Sequence, residues 1–161
     1  MIISDIEQAL SHKLHYLALM VAVTLPDICA ALETKTGASD GGLYRKWYKK
    51  HLKQKMGYLS PNDCYSLRCG VLHQGRMGVA NQDFARVIFT IPETPVRMKS
   101  CIANDAMIYD VEFFCTDIIQ AVREWFATAK DDPHVKANLA NLVHYRPGGL
   151  APYVVGAPII G

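Results

Sequence analysis

An arginine sits where one helix of this chain should be apolar. Ser60 to Gly75 reads as a helix with marked ends. Ser60 can cap it, Pro61 suits its first turn, Asp63 favours the positive end of the dipole, and Gly75 can stop it. At about 100° per residue, Cys64, Leu67 and Val71 share one face, Tyr65 and Leu72 flank it, and Arg68 falls inside the arc. An unpaired buried charge costs on the order of several kcal/mol, so Arg68 needs a carboxylate, a partner chain or a bound phosphate. Asp27 and Glu33 are the candidate carboxylates. Five residues after Arg68 comes His73, the side-chain type that titrates near neutral pH. Read structurally, His73 caps the C-terminal end of the helix. Read chemically, Arg68 and His73 are the pair to examine first.

The remaining totals bound the answer loosely. A chain of 161 residues, half of them hydrophobic, is expected to form a single domain, 1–161, with a substantial core. A net charge of +2 identifies no partner by itself, so any basic signal must come from how the charge is distributed. The five cysteines are odd in number and scattered without a Cys-x-x-Cys pair, which reads as reduced thiols and a cytoplasmic setting. The apolar run Tyr16 to Leu25 is too short to span a bilayer, so no membrane partner is expected.

Taken in order, Ser4 and Glu7 form a capping-box signature, and Ile6, Ala9, Leu10, Leu14, Leu17 and Val21 recur at helical spacing. A long first helix to about Thr24 is therefore expected. Pro26 interrupts it, and 26–33 is either a kinked continuation or a short second helix. Thr34 to Gly42 reads as a loop. From Leu43 to about Met56 a helix carries Arg45, Lys46, Lys49, Lys50, Lys53 and Lys55 with no intervening acid, while Tyr44, Trp47, Tyr48 and Leu52 supply its apolar stripe. After Gly75, Arg76 to Asp83 reads as a loop, Ala85 to Ile91 as a strand ended by Pro92, and Pro92 to Ser100 as irregular. Ala106 to Tyr109 is a second strand that would make a small hairpin-like appendage. Asp110 caps a helix to about Ala129, with Val111, Phe114, Ile118, Val122, Trp125 and Phe126 as its buried stripe. Asp131-Asp132-Pro133 starts a short helix through Val143. From about 147 the tail should be extended, with Val154, Val155, Ile159 and Ile160 wanting a surface. The expected fold is mainly all-α: a bundle of four or more helices with a small β insertion around 85–109.

Other patterns carry less. His12 and His15 stand i, i+3 but have no third ligand at matching spacing, so no metal and no cofactor is expected. Asn62 and Asp63 read as first-turn capping residues. Cys69 has no Cys–His–acid order around it. His134 and His144 show no pattern, and Gly148-Gly149 lacks a phosphate-loop context. The basic helix is either a phosphate-tracking surface or a solvated outer face.

Arg68-Cys69-Gly70-Val71-Leu72-His73 resembles the Arg-x4-6-His motif of HEPN domains, small helical bundles that include ribonucleases of toxin–antitoxin, abortive-infection and CRISPR defence systems. The likeness covers the first half of the chain to Gly75 and extends loosely to the Asp110–Ala129 helix. It implies metal-independent RNA cleavage, in which a ribose 2′-hydroxyl attacks the adjacent phosphate, with Arg68 and His73 catalytic. Arg45, Lys46, Lys49, Lys50, Lys53, Tyr65 and Gln74 would then bind substrate. An antitoxin or regulatory protein would be a further partner. Cys69 stands where active members often carry Asn, Asp or His, and this keeps open a non-catalytic HEPN-like module that binds RNA, nucleotide or a protein. Positions five apart lie about 140° around an ideal helix. Geometry therefore predicts that one copy aims both groups at one point only if the last turn unwinds, or that two copies combine in a homodimer, with Gly70 allowing close helix approach.

Overall fold

A computed structural model describes residues 2–77, 86–93 and 97–161. Among them the chain forms α1 (Ile2–Ser11), α2 (His15–Ala22), α3 (Leu25–Leu32), α4 (Gly41–His51) and α5 (Pro61–Gln74). Then come β1 (Arg86–Thr90), β2 (Ser100–Ala103), β3 (Ala106–Asp110), α6 (Val111–Ala129) and α7 (Pro133–Leu139). Four two-residue strands close the chain: β4 (Tyr145–Arg146), β5 (Gly149–Leu150), β6 (Val154–Val155) and β7 (Ile159–Ile160). About half the chain is helical, and the strands make three small sheets, so the architecture is mixed rather than purely helical.

The expected first helix is two. Its capping-box start is displaced, because α1 already begins at Ile2, and it ends ten residues later in a Schellman turn. Lys13 takes a left-handed conformation at φ 59°, with the Leu14 amide on the Ala9 carbonyl and the Lys13 amide on that of Leu10. The turn was invisible because a lysine fills the position that glycine usually occupies. It also turns Leu14 and Leu17 outward, each about half exposed, against the expectation of a buried stripe. Pro26 sits in the first turn of α3, which is thus a short separate helix. The stretch His15–Leu32, longer than the Tyr16–Leu25 run, matches a membrane span in length and apolarity. Half of it is buried inside the protein and a turn at 23–24 divides it between α2 and α3.

The sheet corrects the hairpin expectation. β1 and β3 lie side by side in parallel, with Ile88 opposite Ile108, while the hairpin is β2–β3. Asn104 at φ 54° provides the left-handed residue in the tight turn between Ala103 and Ala106. β2 escaped notice because Ser-Cys-Ile-Ala is short and weakly β-forming. Ala85 and parts of the expected segments Arg76–Asp83 and Pro92–Ser100 lie outside the described residues.

α6 is the spine of the core and packs on α1, α2, α3, α4 and β3. Val111, Phe114, Ile118, Val122 and Trp125 are buried as expected, but Phe126 is 39% exposed at the edge of the stripe. Three tyrosines are fully buried with their hydroxyls engaged, as burial of a polar group demands: Tyr44 with Cys64 Sγ at 3.2 Å, Tyr48 on the Leu59 carbonyl at 2.7 Å, and Tyr109 on Asp117 at 2.7 Å. α7 stops at Leu139, short of Val143. The tail folds on itself through β4–β7 and β5–β6, leaving Val154, Val155 and Ile160 exposed and Ile159 half-buried.

Asp110 ties sheet to spine. Its carboxylate is 1% exposed, accepts from the Glu112 and Phe113 amides as the N-cap of α6, and pairs bidentately with Arg97. Burial pushes its pKa up, but Arg97 and the two amides outweigh burial and hold it below the ordinary carboxylate value. Stability from this group is therefore present above about pH 4 and lost as pH falls through the folded value. In urea titrations at pH 7, Asp110→Ala is expected to destabilise the protein by roughly 2–4 kcal/mol. Asp110→Asn should also flatten the acid limb of the stability profile.

Candidate functional site: an arginine bridging two helices

The site is built on α5, and the helix starts as its sequence requires. Ser60 Oγ accepts from the Asp63 amide and the Asp63 carboxylate accepts from the Ser60 amide, a reciprocal capping box closed by Pro61 in the first turn. Gly75 ends it at φ 63°, with its own amide and that of Arg76 on the Gly70 carbonyl. Between these ends, Cys64, Leu67 and Val71 are buried, and Arg68 reaches across to Asp27 on α3.

Arg68 Nε donates to Asp27 Oδ2 at 2.7 Å, with the two side chains only 23% and 17% exposed. Burial pulls the guanidinium's pKa down, but Asp27 and the neighbouring Cys69 outweigh burial and raise it, so Arg68 stays charged. Arg68 Nη1 lies 2.9 Å from His73 Nε2. Arginine has no acceptor, so Nε2 must accept, which places the proton of a neutral imidazole on Nδ1. α5 runs unbroken to Gln74, so the pair meets within one chain without any unwinding. The length of the arginine side chain closes an angle that backbone geometry alone leaves open, and the 140° separation does not require a second copy. Gly70 is buried within its own chain, and so is not free to meet a partner helix.

Glu33, the other candidate carboxylate, instead accepts from Trp125 Nε1 at 2.8 Å. His73 spends its bond on Arg68 rather than on the terminal carbonyls of α5. Gln74 lies exposed at the end of the helix. Tyr65 sits one turn before Arg68, and its pKa is raised by burial first and by Cys69 next. Its ring packs against the start of α4 so closely that a Cβ on Gly41 would stand 2.7 Å from Tyr65 Cζ. The guanidinium of Arg45 covers the ring at 4.8 Å. Gly41 and Gly42, expected at the end of a loop, form the first turn of α4 instead.

α4 has two faces. Tyr44, Trp47 and Tyr48 are buried, while Lys46, Lys49 and Lys50 are exposed. Lys53 is exposed in the turn that follows, because the helix stops at His51, short of the expected Met56. These four lysines form no ion pair among the described residues. Arg45 through Lys50 occupy an arc of about 140° on this outer side, running from the Tyr65 edge round toward α3. Lys55 is taken up by Glu124 at 3.0 Å. His12 Nδ1 contacts the Gln8 carbonyl, and both ring nitrogens of His15 are buried without a partner among the described residues. No group of three or more metal-ligating side chains occurs among those residues.

Two clefts lie away from this cluster. One is apolar, about 170 Å³, between α1, α3, α6 and α7, with Leu25, Cys29 and Trp125 in its walls. The other, about 360 Å³, is lined by Glu33, Lys50, His51, Trp125 and Asp132. His51 stacks on Trp47 with centroids 4.8 Å apart, and burial first, then Lys50, push its pKa below the usual value despite Glu33. The unfolded chain therefore takes up the proton first, and stability falls as pH drops below about 6.5. Titration by NMR should place the His51 midpoint below that of an exposed histidine. Gly41→Ala is expected to displace Tyr65 and cost about 1–3 kcal/mol, read by thermal unfolding.

No protein-family model, no curated protein and no solved structure matches this chain.

Proposed function

We propose that this chain is a HEPN-type, metal-independent endoribonuclease that works as a homodimer in the cytoplasm. The observation that carries the reading is the 2.9 Å contact between Arg68 Nη1 and His73 Nε2 at the exposed end of α5, the helix whose Tyr65 carries Arg45 of the basic α4 over its ring. Arg68 and His73 stand together in one chain, which supports the reading by bringing one guanidinium and one imidazole to the same point.

In the proposed reaction a phosphodiester oxygen binds Arg68, whose planar donors offset the charge that develops on the phosphate. His73 Nε2 takes the proton of the ribose 2′-hydroxyl as its oxygen attacks phosphorus, or returns a proton to the departing 5′-oxygen, leaving a 2′,3′-cyclic phosphate. Two copies facing one another would supply one base and one acid to a single cleft, and would wall in a site that stands open in one chain. Arg45, Lys46, Lys49, Lys50 and Lys53 would track the flanking phosphates, with Tyr65 holding Arg45 in place and Gln74 at the rim. A toxin–antitoxin or defence setting, with an antitoxin or regulator as partner, belongs to the same proposal.

A second reading is favoured by the resting geometry. Arg68 is already satisfied by Asp27, His73 Nε2 is already occupied, and Cys69 follows the arginine. A non-catalytic HEPN-like module would keep the basic face and bind RNA or nucleotide without cutting it.

Incubation with RNA in EDTA separates the two. Cleavage is expected, with Arg68→Ala and His73→Ala each slowing it about 100-fold or more. Cleavage that survives both substitutions removes the assignment, and salt-sensitive binding without cleavage establishes the second reading. Sedimentation should show a dimer. Lys49→Ala or Lys53→Ala should each lower the salt slope of RNA binding by about one.

A further inference from the structure

We infer that Asp27 is a positioning residue of this site. It holds Arg68 by Nε, directs Nη1 onto His73, and so decides which nitrogen of that histidine is free to act. The catalytic consequence rests on the ribonuclease reading, but the geometry does not.

Asp27 comes from α3, a different helix from the motif, and its two oxygens have separate duties. Oδ2 takes Arg68 Nε at 2.7 Å, and Oδ1 faces Ser39 Oγ at 3.4 Å, from the loop that leads into α4. A guanidinium is planar, so fixing its Nε edge against a carboxylate that is itself mostly buried leaves the plane little freedom. The Nη1 donor is then directed along α5 to His73 Nε2. Cys69 lies beside the same guanidinium and Tyr65 beside Cys69, which limits the opposite swing.

Two states of the site follow. At rest, Arg68 covers the basic nitrogen of His73 and holds the ring as the Nδ1–H tautomer. A phosphodiester oxygen competes with His73 for the terminal N–H groups, and a charged acceptor outcompetes a neutral one. Phosphate binding therefore uncovers Nε2 as the substrate arrives. Asp27 keeps the guanidinium within reach throughout. Lacking that hold, Arg68 would bind phosphate from a spread of positions and His73 would sample both tautomers.

The test reads the ring directly. In protein labelled with 15N at histidine, wild-type His73 should show the Nδ1–H tautomer. Asp27→Asn keeps the shape and one acceptor but loses the charge, and should shift His73 toward the Nε2–H form with the fold retained by circular dichroism. Saturating wild type with an oligoribonucleotide that carries 2′-O-methyl groups at every sugar should change the His73 signals in the same way. If RNA is cleaved, Asp27→Asn should lower kcat about tenfold or more with a smaller change in KM, and Asp27→Glu should restore part of it. If Asn does not fold, Asp27→Glu alone still reports, as a partial tautomer shift. An unchanged His73 tautomer in a folded Asp27 variant overturns the inference, even if the wild type cleaves RNA. A tautomer shift without cleavage by wild type supports Asp27 as the positioning group and removes the ribonuclease reading alone.

Discussion

Asp27 on α3 answers the charge that Arg68 carries in the apolar arc of α5. Arg68 keeps little exposure, and the carboxylate of Asp27 meets its Nε edge at 2.7 Å. Removing one partner from such a pair leaves the other to bear its desolvation alone, which in fully buried pairs costs about 3–5 kcal/mol. Here both side chains keep some contact with water, so the cost is smaller, but the direction is the same. The pair fixes the Nε edge of the guanidinium, and with it the groups that the terminal nitrogens can reach. The contact with His73 depends on it.

The rest of the structure serves as a platform for this pair. α6 fills the interior, and the buried tyrosines Tyr44, Tyr48 and Tyr109 each find a partner for their hydroxyls. α4 bears the opposite tension. Arg45–Lys49 and Lys46–Lys50 are like charges four residues apart, each pair costing about 0.2–0.5 kcal/mol on a helix. Cations near the C-terminal end of α4 gain from its dipole, but no carboxylate among the described residues relieves Lys46, Lys49, Lys50 or Lys53. An anionic ligand would remove that repulsion, which is why the basic face and the Arg68–His73 pair are read together.

Where local chemistry decided the outcome, the sequence was legible. Ser60, Pro61 and Gly75 mark the ends of α5, and Asp110 and Asp132 cap α6 and α7, because capping depends on a few adjacent atoms. The arginine in the apolar arc announced itself through its cost. Other features answered to distant partners. Lys13 breaks the first helix in a conformation that its residue type does not advertise. β1 and β3 pair in parallel while β2 takes the tight turn into β3, a choice of partner that no local pattern announces. Gly41 matters for the ring of Tyr65 above it, and no local pattern links the two.

The sequence by itself therefore determined that there is a capped helix with a misplaced charge, a one-signed helix before it and an apolar spine after it. These follow from periodicity and capping, whose range is a turn or two. Tertiary structure alone decided that Asp27 rather than Glu33 answers Arg68, that Glu33 goes to Trp125, and that Arg68 and His73 meet inside one chain. Those choices turn on how two helices pack and how far a flexible side chain extends. Neither quantity is written in the spacing of residues along a single helix.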